Sequence, residues 1–235
     1  MLSSNFLALI ITLTASIFWF ALIEYSVKKG WIPGTLSRKI IHIGTGPIFI
    51  TCWLIFNHTS TARFYAAVIP FLFTLHFILV GMGISKDQNA VIAMSRTQER
   101  RELLFGPTFY GVIFVVLTIV YWYDSPIGII ALMVLSGGDG LADVFGRNFG
   151  KYKLPWSHEK TWAGTLGMFL GAWIFSAGIT ALYTSVGIFP NSIGSYLFPV
   201  TIICLIATLV ESLPLKNLDN ITVTIAAVLA GYLVL

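Results

Sequence analysis

Eight apolar stretches, each about as long as a membrane-crossing helix, divide the chain and are joined by short polar loops. A bilayer core about 30 Å thick needs about 20 mostly apolar residues per helix. We therefore predict an all-α fold, a polytopic membrane helix bundle with about eight transmembrane helices. The predicted spans are residues 5–26, 40–56, 64–84, 108–123, 126–145, 162–188, 194–211 and 218–235.

The composition of the chain agrees with this fold class. Only 10% of the residues are charged and 57% are hydrophobic, whereas a water-soluble domain carries about 25% charged residues. This balance excludes a soluble enzyme, a disordered chain and a coiled coil. The two cysteines, Cys52 and Cys204, lie in apolar runs and exclude a disulfide-stapled secreted module. We expect a single transmembrane domain over residues 1–235.

The basic residues predict the orientation of the bundle. If eight helices cross, every lysine and arginine except Arg63 falls in the four loops that share one face. Short loops rich in Lys and Arg are retained in the cytoplasm, so we predict that this face is cytoplasmic and that both termini are non-cytoplasmic. The formal net charge of +4 then reflects topology and gives no argument for binding nucleic acid.

Ionisable side chains at membrane depth are costly and often mark functional sites. Six of them fall near the cytoplasmic ends of predicted spans: Glu24, His42, Asp139, Asp143, Glu211 and Asp219. His76 differs because it falls within the third span, and we interpret it as a neutral histidine bonded to a neighbouring helix. The six residues together predict a polar site at the cytoplasmic face.

The densest polar cluster begins at the end of the fifth span, with the sequence GGDGLADVFGRNFG. If the helix continues through it, Asp139 and Asp143 lie one turn apart on one face. Gly146 and Gly150 then extend the same stripe. Two carboxylates would project from a face along which another backbone or a ligand can approach closely.

A short basic loop follows this stripe and precedes the sixth span. It carries Lys151, Lys153 and Lys160, followed by Thr161. Carboxylates suit Mg²⁺, ammonium groups neutralise phosphate, and the amides at a helix N-terminus attract an anion. The cluster therefore predicts a site for a polyphosphate and its metal, although the spacing does not match a Walker A loop. The alternative is a helix end whose lysines only fix topology.

A second cluster, ESLPLKNLDN, begins at Glu211 and joins the last two spans. Pro214 breaks the helix there, so Glu211 and Asp219 return to one membrane level, where they can complete the metal site. Alternatively, Asp219 and Asn220 cap the eighth helix and Glu211 pairs with Lys216.

Two further polar segments are candidates for binding. Arg38 and His42 lie one turn apart at the entry to the second span and can present two donors to a phosphate or to a substrate oxygen. They can equally anchor the helix at the interface, with His42 capping a neighbouring helix. The mixed charges of residues 95–107 indicate either a solvated amphipathic turn or a contact with nucleotide or lipid headgroups.

These elements together resemble the polyprenol kinase family, which includes dolichol, phytol and farnesol kinases. R-K-x-x-H begins at Arg38, E-L-L-x-G-P begins at Glu102, and E-S-x-x-x-x-x-x-D-N begins at Glu211. A compact bundle with GGDGLAD and KLPW looks most like the phytol kinases of plants and cyanobacteria. The family's CTP-binding motif is matched by Asp139, Ala142, Gly146, Gly150, Lys153, Lys160, Thr161 and Gly164.

The resemblance implies a kinase that transfers the γ-phosphate of CTP, or of UTP, to a lipid-soluble isoprenoid alcohol such as phytol, with Mg²⁺ as cofactor. From the polar residues themselves we predict catalytic roles for Asp139 and Asp143, and metal coordination by Asp139, Glu211 and Asp219, although the sequence leaves these roles interchangeable. The isoprenyl monophosphate product would serve tocopherol-type or lipid-carrier pathways, in a plasma membrane or an internal photosynthetic membrane. The implied nucleotide-binding residues are Arg38, His42, Gly146, Gly150, Lys151, Lys153, Lys160, Thr161 and Gly164.

Two other functions stay open at this point. The element that begins at Glu211 is similar to one in CDP-diacylglycerol synthases, so a CTP-dependent phosphatidate cytidylyltransferase is the alternative enzyme. The third possibility is a small cation transporter, although transporter sites tend to lie near the bilayer midplane. Small residues of the sixth span either open a groove for the isoprenoid tail or pack against another helix; they are Gly164, Gly167, Gly171 and Ala172.

Overall fold

The computed structural model describes residues 4–95, 97–215 and 218–235. Their regular structure is helical apart from one short β-hairpin, which confirms the all-α fold class. Arg96 and Lys216, two of the basic loop residues, lie outside the described residues. The helices are α1 (Ser4–Lys28), α2 (Gly34–Cys52), α3 (Ala62–Met82), α4 (Gln88–Met94), α5 (Gly106–Val120), α6 (Pro126–Met133), α7 (Asp139–Phe149), α8 (Trp162–Ser185), α9 (Ile193–Glu211) and α10 (Asp219–Val234), and the strands are β1 (Lys153–Leu154) and β2 (Ser157–Thr161).

All eight predicted spans coincide with helices, and six helical segments of the described residues are long and apolar enough to cross a membrane. The exceptions are α2, which carries Arg38 and Lys39, and α10, whose 16 residues reach roughly 24 Å. The protein is thus a multi-pass membrane protein, while the number of crossings and the side of the termini stay predictions. The six segments are Ser4–Lys28, Ala62–Met82, Arg100–Val120, Pro126–Phe149, Trp162–Ser185 and Ile193–Glu211.

The chain forms two compact units, of which the first ends at Val120. Within this unit α3 packs against α5, and α1 packs against α2 and α3. Gly111 of α5 lies so close to Thr74 of α3 that a Cβ would overlap the threonine hydroxyl. α3 ends at Gly83, whose φ of 80° is the left-handed conformation that glycine adopts at helix C-termini.

The second unit begins at Tyr121 and is built around one long helix, Pro126–Phe149. This central helix consists of α6, a π-helical segment (Val134–Gly138) and α7. Its residues 129–135 are completely buried, as expected for a helix that is apolar on all sides. α8 packs along the central helix, α9 packs against α8 and α10, and α10 returns to α6.

Candidate functional site

The central helix positions the predicted carboxylates of the fifth span. The π-helical segment is fully buried and ends immediately before Asp139, the first residue of α7. Such segments are rare and often accompany functional sites. Asp139 and Asp143 follow one turn apart in a continuous helix, as predicted, and both are half-buried. Asp143 Oδ2 forms an ion pair with Arg147 Nε at 3.0 Å, and Arg147 was not among the predicted site residues.

Three glycines of the predicted nucleotide motif lie where α7 meets the start of α8. A Cβ on Gly164 would come within 3.2 Å of the Ala142 carbonyl oxygen, and a Cβ on Gly150 would clash with the Gly146 carbonyl oxygen. Thr161 caps α8 by accepting a hydrogen bond from the Gly164 amide at 3.1 Å. Close packing therefore accounts for Gly150 and Gly164, whereas a Cβ on Gly146 would make only ordinary contacts, the nearest 3.4 Å from Thr161 Oγ1. Contact of the three glycines with a nucleotide stays a prediction.

The small residues further along α8 are covered by the same central helix. A Cβ on Gly171 would overlap the Gly137 carbonyl group, and one on Gly167 would lie 2.7 Å from the Leu141 carbonyl oxygen. Ala172 is completely buried. Of the two interpretations of this face, helix packing is confirmed, and a groove for the isoprenoid tail at these residues is wrong.

A β-hairpin joins α7 to α8 where the sequence indicated only a loop. β1 and β2 are antiparallel, with Lys153 opposite Thr161 and Leu154 opposite Ser157. The side chains of Leu154, Ser157 and Thr161 are buried and those between them are more exposed. An alternation this short does not predict strands from sequence. The hairpin matters because it determines where the lysines of the loop are placed.

The hairpin brings Lys160 to the ends of α9 and α10. The Lys160 ammonium donates hydrogen bonds to Glu211 Oε1 at 2.5 Å and to Asp219 Oδ2 at 2.8 Å. Glu211, the last residue of α9, is only 5% exposed. A buried carboxylate needs a counter-charge because its removal from water is expensive. Glu211 and Asp219 therefore meet, as predicted, and a predicted nucleotide-binding lysine joins them.

The charge of Lys160 is fixed by this environment. Burial alone would lower the pKa of Lys160, but the negative charges of Glu211 and Asp219 and their hydrogen bonds outweigh burial and raise it above its ordinary value. Of the alternative roles of the two carboxylates, only the capping role of Asp219 can be compared with the described residues, and it is not seen. Asp219 is the first residue of α10 rather than its cap, and Lys216, the other suggested partner of Glu211, lies outside the described residues.

The carboxylates meet part of the requirements of a magnesium site. Asp219 Oδ1 is buried and has no hydrogen-bond partner among the described residues, and Asp139 is near enough to repel the charge of Glu211. Mg²⁺ commonly takes one or two protein carboxylates and completes its shell with phosphates and water. The carboxylates of Glu211 and Asp219 therefore suit a metal ion that is also bound to a nucleotide. No three His, Cys, Asp or Glu side chains converge at metal-binding distances within residues 4–95, 97–215 and 218–235. The three-ligand site thus stays a prediction.

Trp156, at the turn of the hairpin, ties this element to α9. Its indole Nε1 donates to Ser212 Oγ at 3.2 Å, and its ring meets the ring of Trp162 edge-to-face with centroids 5.9 Å apart. Ser212 is buried and directly follows Glu211. Neither Trp156 nor Ser212 was predicted to take part in the site. The sequence signal for Trp156 is a tryptophan in a short basic loop, which is typical of a membrane interface.

The other two lysines of the predicted nucleotide site have a different environment. Lys151 precedes β1 and Lys153 begins it, and both side chains are exposed. Lys160, by contrast, has a side chain that is 22% exposed and is bonded to both carboxylates. In the hairpin, Lys160 therefore points towards the carboxylates, whereas Lys151 and Lys153 are exposed.

In the first unit, Arg38 and His42 lie one turn apart in α2, as predicted, and both are half-buried. The His42 ring packs against the ring of Tyr110 in α5, with 4.2 Å between the ring centroids and the ring planes tilted by 42°. Tyr110 Oη also donates to the backbone carbonyl of His42 at 3.0 Å. Tyr110 was not predicted as a site residue, because nothing in its local sequence indicates a partner in α2. Contact of Arg38 or His42 with a nucleotide stays a prediction.

The remaining polar residues of the first unit have local partners. His76 Nε2 lies 3.1 Å from Asp87 Oδ2, and the other oxygen of Asp87 caps α4 by accepting from the Ala90 amide. His76 thus contacts the cap residue of a neighbouring helix, in agreement with the predicted bond, while its neutral state stays a prediction. In the loop of residues 95–107, Glu102 accepts a hydrogen bond from the Thr97 amide at 3.1 Å, which is consistent with a structured turn.

Comparison with known proteins finds relatives that are all named as kinases of isoprenoid alcohols. Phytol kinase 1, chloroplastic, of Arabidopsis thaliana is 37% identical over 212 residues, which are 89% of this chain and 70% of that protein. A probable phytol kinase, chloroplastic, of Triticum aestivum is 38% identical over 208 residues, covering 88% of this chain and 69% of its own length. Farnesol kinase, chloroplastic, of Arabidopsis thaliana is 36% identical over 208 residues, or 88% of this chain and 67% of its own. No family model and no solved structure matches. With more than a third of its residues identical to these enzymes over most of its length, the chain belongs to the polyprenol kinase family of phytol and farnesol kinases.

Proposed function

We propose that the protein is an integral-membrane kinase that transfers the γ-phosphate of CTP, or of another pyrimidine nucleotide such as UTP, to a lipid-soluble isoprenoid alcohol such as phytol. The observation that carries the proposal is the bonding of Lys160 to Glu211 and Asp219 at the ends of two apolar helices. The relatives named phytol kinase and farnesol kinase support the class of acceptor. The product is then an isoprenyl monophosphate.

Phosphoryl transfer asks a protein mainly for alignment and neutralisation of charge. Asp139, Glu211 and Asp219 are proposed to hold Mg²⁺, which neutralises charge on the triphosphate when bound. Ammonium and guanidinium groups with the amides at the start of α8 are proposed to hold the nucleotide oxygens. The side chains proposed for this role are those of Lys151, Lys153, Lys160, Arg38 and His42, together with Thr161.

The acceptor alcohol must reach these charges from the membrane. The carboxylates lie at the end of α9 and the start of α10, both of which are apolar along their length. A site at such helix ends is open to a lipid hydroxyl from one side and to a water-soluble nucleotide from the other. Asp143 is proposed to orient or deprotonate the acceptor hydroxyl, and its bond to Arg147 holds the carboxylate in place.

The membrane is proposed to be an internal photosynthetic one, since the similar kinases are named chloroplastic. The basic hairpin is expected on the face that carries the other basic loops. That face is the accessible side for a soluble nucleotide.

The proposal is tested with purified protein in detergent, Mg²⁺ and γ-labelled CTP, UTP or ATP, each with phytol, geranylgeraniol or a long polyprenol. We expect label in a lipid monophosphate with release of CDP or UDP. Transfer from ATP as efficient as from the pyrimidine nucleotides would refute the assigned donor. A CDP-lipid formed from phosphatidate, with no labelled monophosphate, would instead assign the protein as a cytidylyltransferase.

A further inference from the structure

The cluster at the hairpin contains a cation of its own. Lys160 Nζ is bonded to one oxygen of Glu211 and to one oxygen of Asp219, and the second Asp219 oxygen has no partner among the described residues. The same two carboxylates are the proposed ligands of Mg²⁺. A metal ion that takes the bonded oxygens of Glu211 and Asp219 must displace the ammonium group from them, because two positive charges in close contact with the same oxygens repel each other.

We infer that Lys160 and the divalent cation are alternative occupants of the Glu211 and Asp219 pair, so that the metal binds when Lys160 moves from these carboxylates to the nucleotide phosphates. This inference rests on the proposed metal role of the two carboxylates. The lysine stem is flexible, and an ammonium group can turn to a new acceptor without movement of the strand. The Lys160 side chain is 22% exposed, so its path outward is short.

The exchange has a consequence for the order of binding. Without phosphate to accept its hydrogen bonds, Lys160 leaves the carboxylates only by exchanging two charge-assisted hydrogen bonds for bonds to water. Metal alone should therefore bind weakly, and metal with a triphosphate should bind well. Lys160 in this way couples occupancy of the metal site to the presence of the nucleotide.

The first experiment measures binding of Mn²⁺ alone to the full chain in detergent by electron paramagnetic resonance, with no nucleotide and no alcohol. Lys160→Met should bind Mn²⁺ about tenfold more tightly than wild type, or better, because a positive charge beside the ion is removed. The matched control is Lys86→Met, which removes an exposed lysine with no proposed role in binding and should leave Mn²⁺ affinity unchanged. Adding Asp219→Asn to Lys160→Met should weaken binding again. Equal affinity in Lys160→Met and wild type, or tight binding retained in the double variant, would overturn the inference.

A second measurement uses wild-type protein and does not depend on the folding of any variant. Mn²⁺ at the concentration that saturates the site should increase acylation of Lys160 by an amine-reactive reagent, measured by mass spectrometry, while acylation of Lys153 stays constant. Labelling of Lys160 that is the same with and without Mn²⁺ would overturn the exchange. Failure of the proposed function would appear separately, as exchange at Lys160 in a protein that phosphorylates no alcohol.

Discussion

The two compact units hold their polar groups in different ways. In the second unit, Lys160 joins Glu211 and Asp219, so that charges of both signs satisfy one another at helix ends. In the first unit, the ring of His42 packs against the ring of Tyr110, whose hydroxyl donates to the His42 backbone carbonyl. An ion cluster depends on every member for its stability, whereas a stack mainly orients a side chain. We therefore expect neutralisation of charge to depend mainly on the second unit.

The largest expected effect is on kcat, and it distinguishes a carboxylate of the second unit from one of the first. Asp139→Asn should lower kcat roughly a thousandfold, because the proposed metal loses a ligand at the point where charge develops. The protein should still insert in the membrane and purify as wild type does. The measurement is phosphate transfer to phytol from labelled CTP.

The matched control is Glu24→Gln, which removes a half-buried carboxylate at the end of α1 in the first unit. Its kcat should stay within about twofold of wild type, as for a side chain with no contact to the reacting groups. Near-normal activity of Asp139→Asn would remove the metal role of Asp139. A decrease in kcat for Glu24→Gln as large as that for Asp139→Asn would contradict the expectation that charge neutralisation depends mainly on the second unit.

The second prediction concerns the contact that places the hairpin. Gly150→Ala should lower the free energy of unfolding by about 2 kcal/mol, because the new Cβ meets the Gly146 carbonyl oxygen and Thr161. Gly178→Ala is the control on the same unit, since a Cβ there has open space. It should stabilise α8 by about 0.5 kcal/mol, as alanine does in a helix. Unfolding in sodium dodecyl sulfate measures the free energy of unfolding of both variants. The same change in Gly150→Ala as in Gly178→Ala would show that the close contact at Gly150 does not affect stability.

The third prediction asks whether the first unit contributes to nucleotide binding. Arg38→Lys should raise KM for CTP about tenfold and leave kcat unchanged, because Lys cannot make a two-pronged contact with phosphate. Arg63→Lys, the control, changes an arginine bonded to the Ile119 carbonyl and should change KM by less than about twofold. An unchanged KM in Arg38→Lys would restrict nucleotide binding to the second unit.

The smallest effect compares one aromatic donor from each unit. Trp156→Phe loses the hydrogen bond to Ser212 that holds the hairpin, and should raise KM for CTP about fivefold, the equivalent of about 1 kcal/mol. Tyr110→Phe loses a hydrogen bond of similar length but keeps the stack on His42, so KM should change by less than about twofold. A larger change in Tyr110→Phe than in Trp156→Phe would give the first unit the greater part in nucleotide binding.

The elements that sequence could predict are those with a local cause. Apolar runs placed all eight predicted spans on helices, with the largest difference at α2, which begins at Gly34 and not at residue 40. Pro214 explained why Glu211 and Asp219 return to one level. The stripe of Asp139 and Asp143 followed from helical spacing alone. Each of these predictions uses only residues that are neighbours along the chain.

The features that sequence could not predict depend on contacts between distant residues. Trp156 bonds to a residue 56 positions away, and Tyr110 to one 68 positions away, and nothing in the local pattern indicates either partner. The packing role of Gly167 and Gly171 required knowing which helix covers α8. The hairpin was missed because its alternation spans too few residues to be distinguished from a loop.

The π-helical segment of the central helix affects the angle at which the carboxylates project. A π turn accommodates one residue more than an α turn, which rotates everything after it by about 100° around the helix axis. The π-helical segment Val134–Gly138 therefore changes the direction in which the side chains of α7 project relative to those of α6. A uniform α-helix would give a different relation between the apolar part and the acidic part. Hydropathy averaged over a window carries no information on the direction in which side chains project. One extra residue in the π turn can therefore change the direction of the carboxylates without any change in hydropathy or composition.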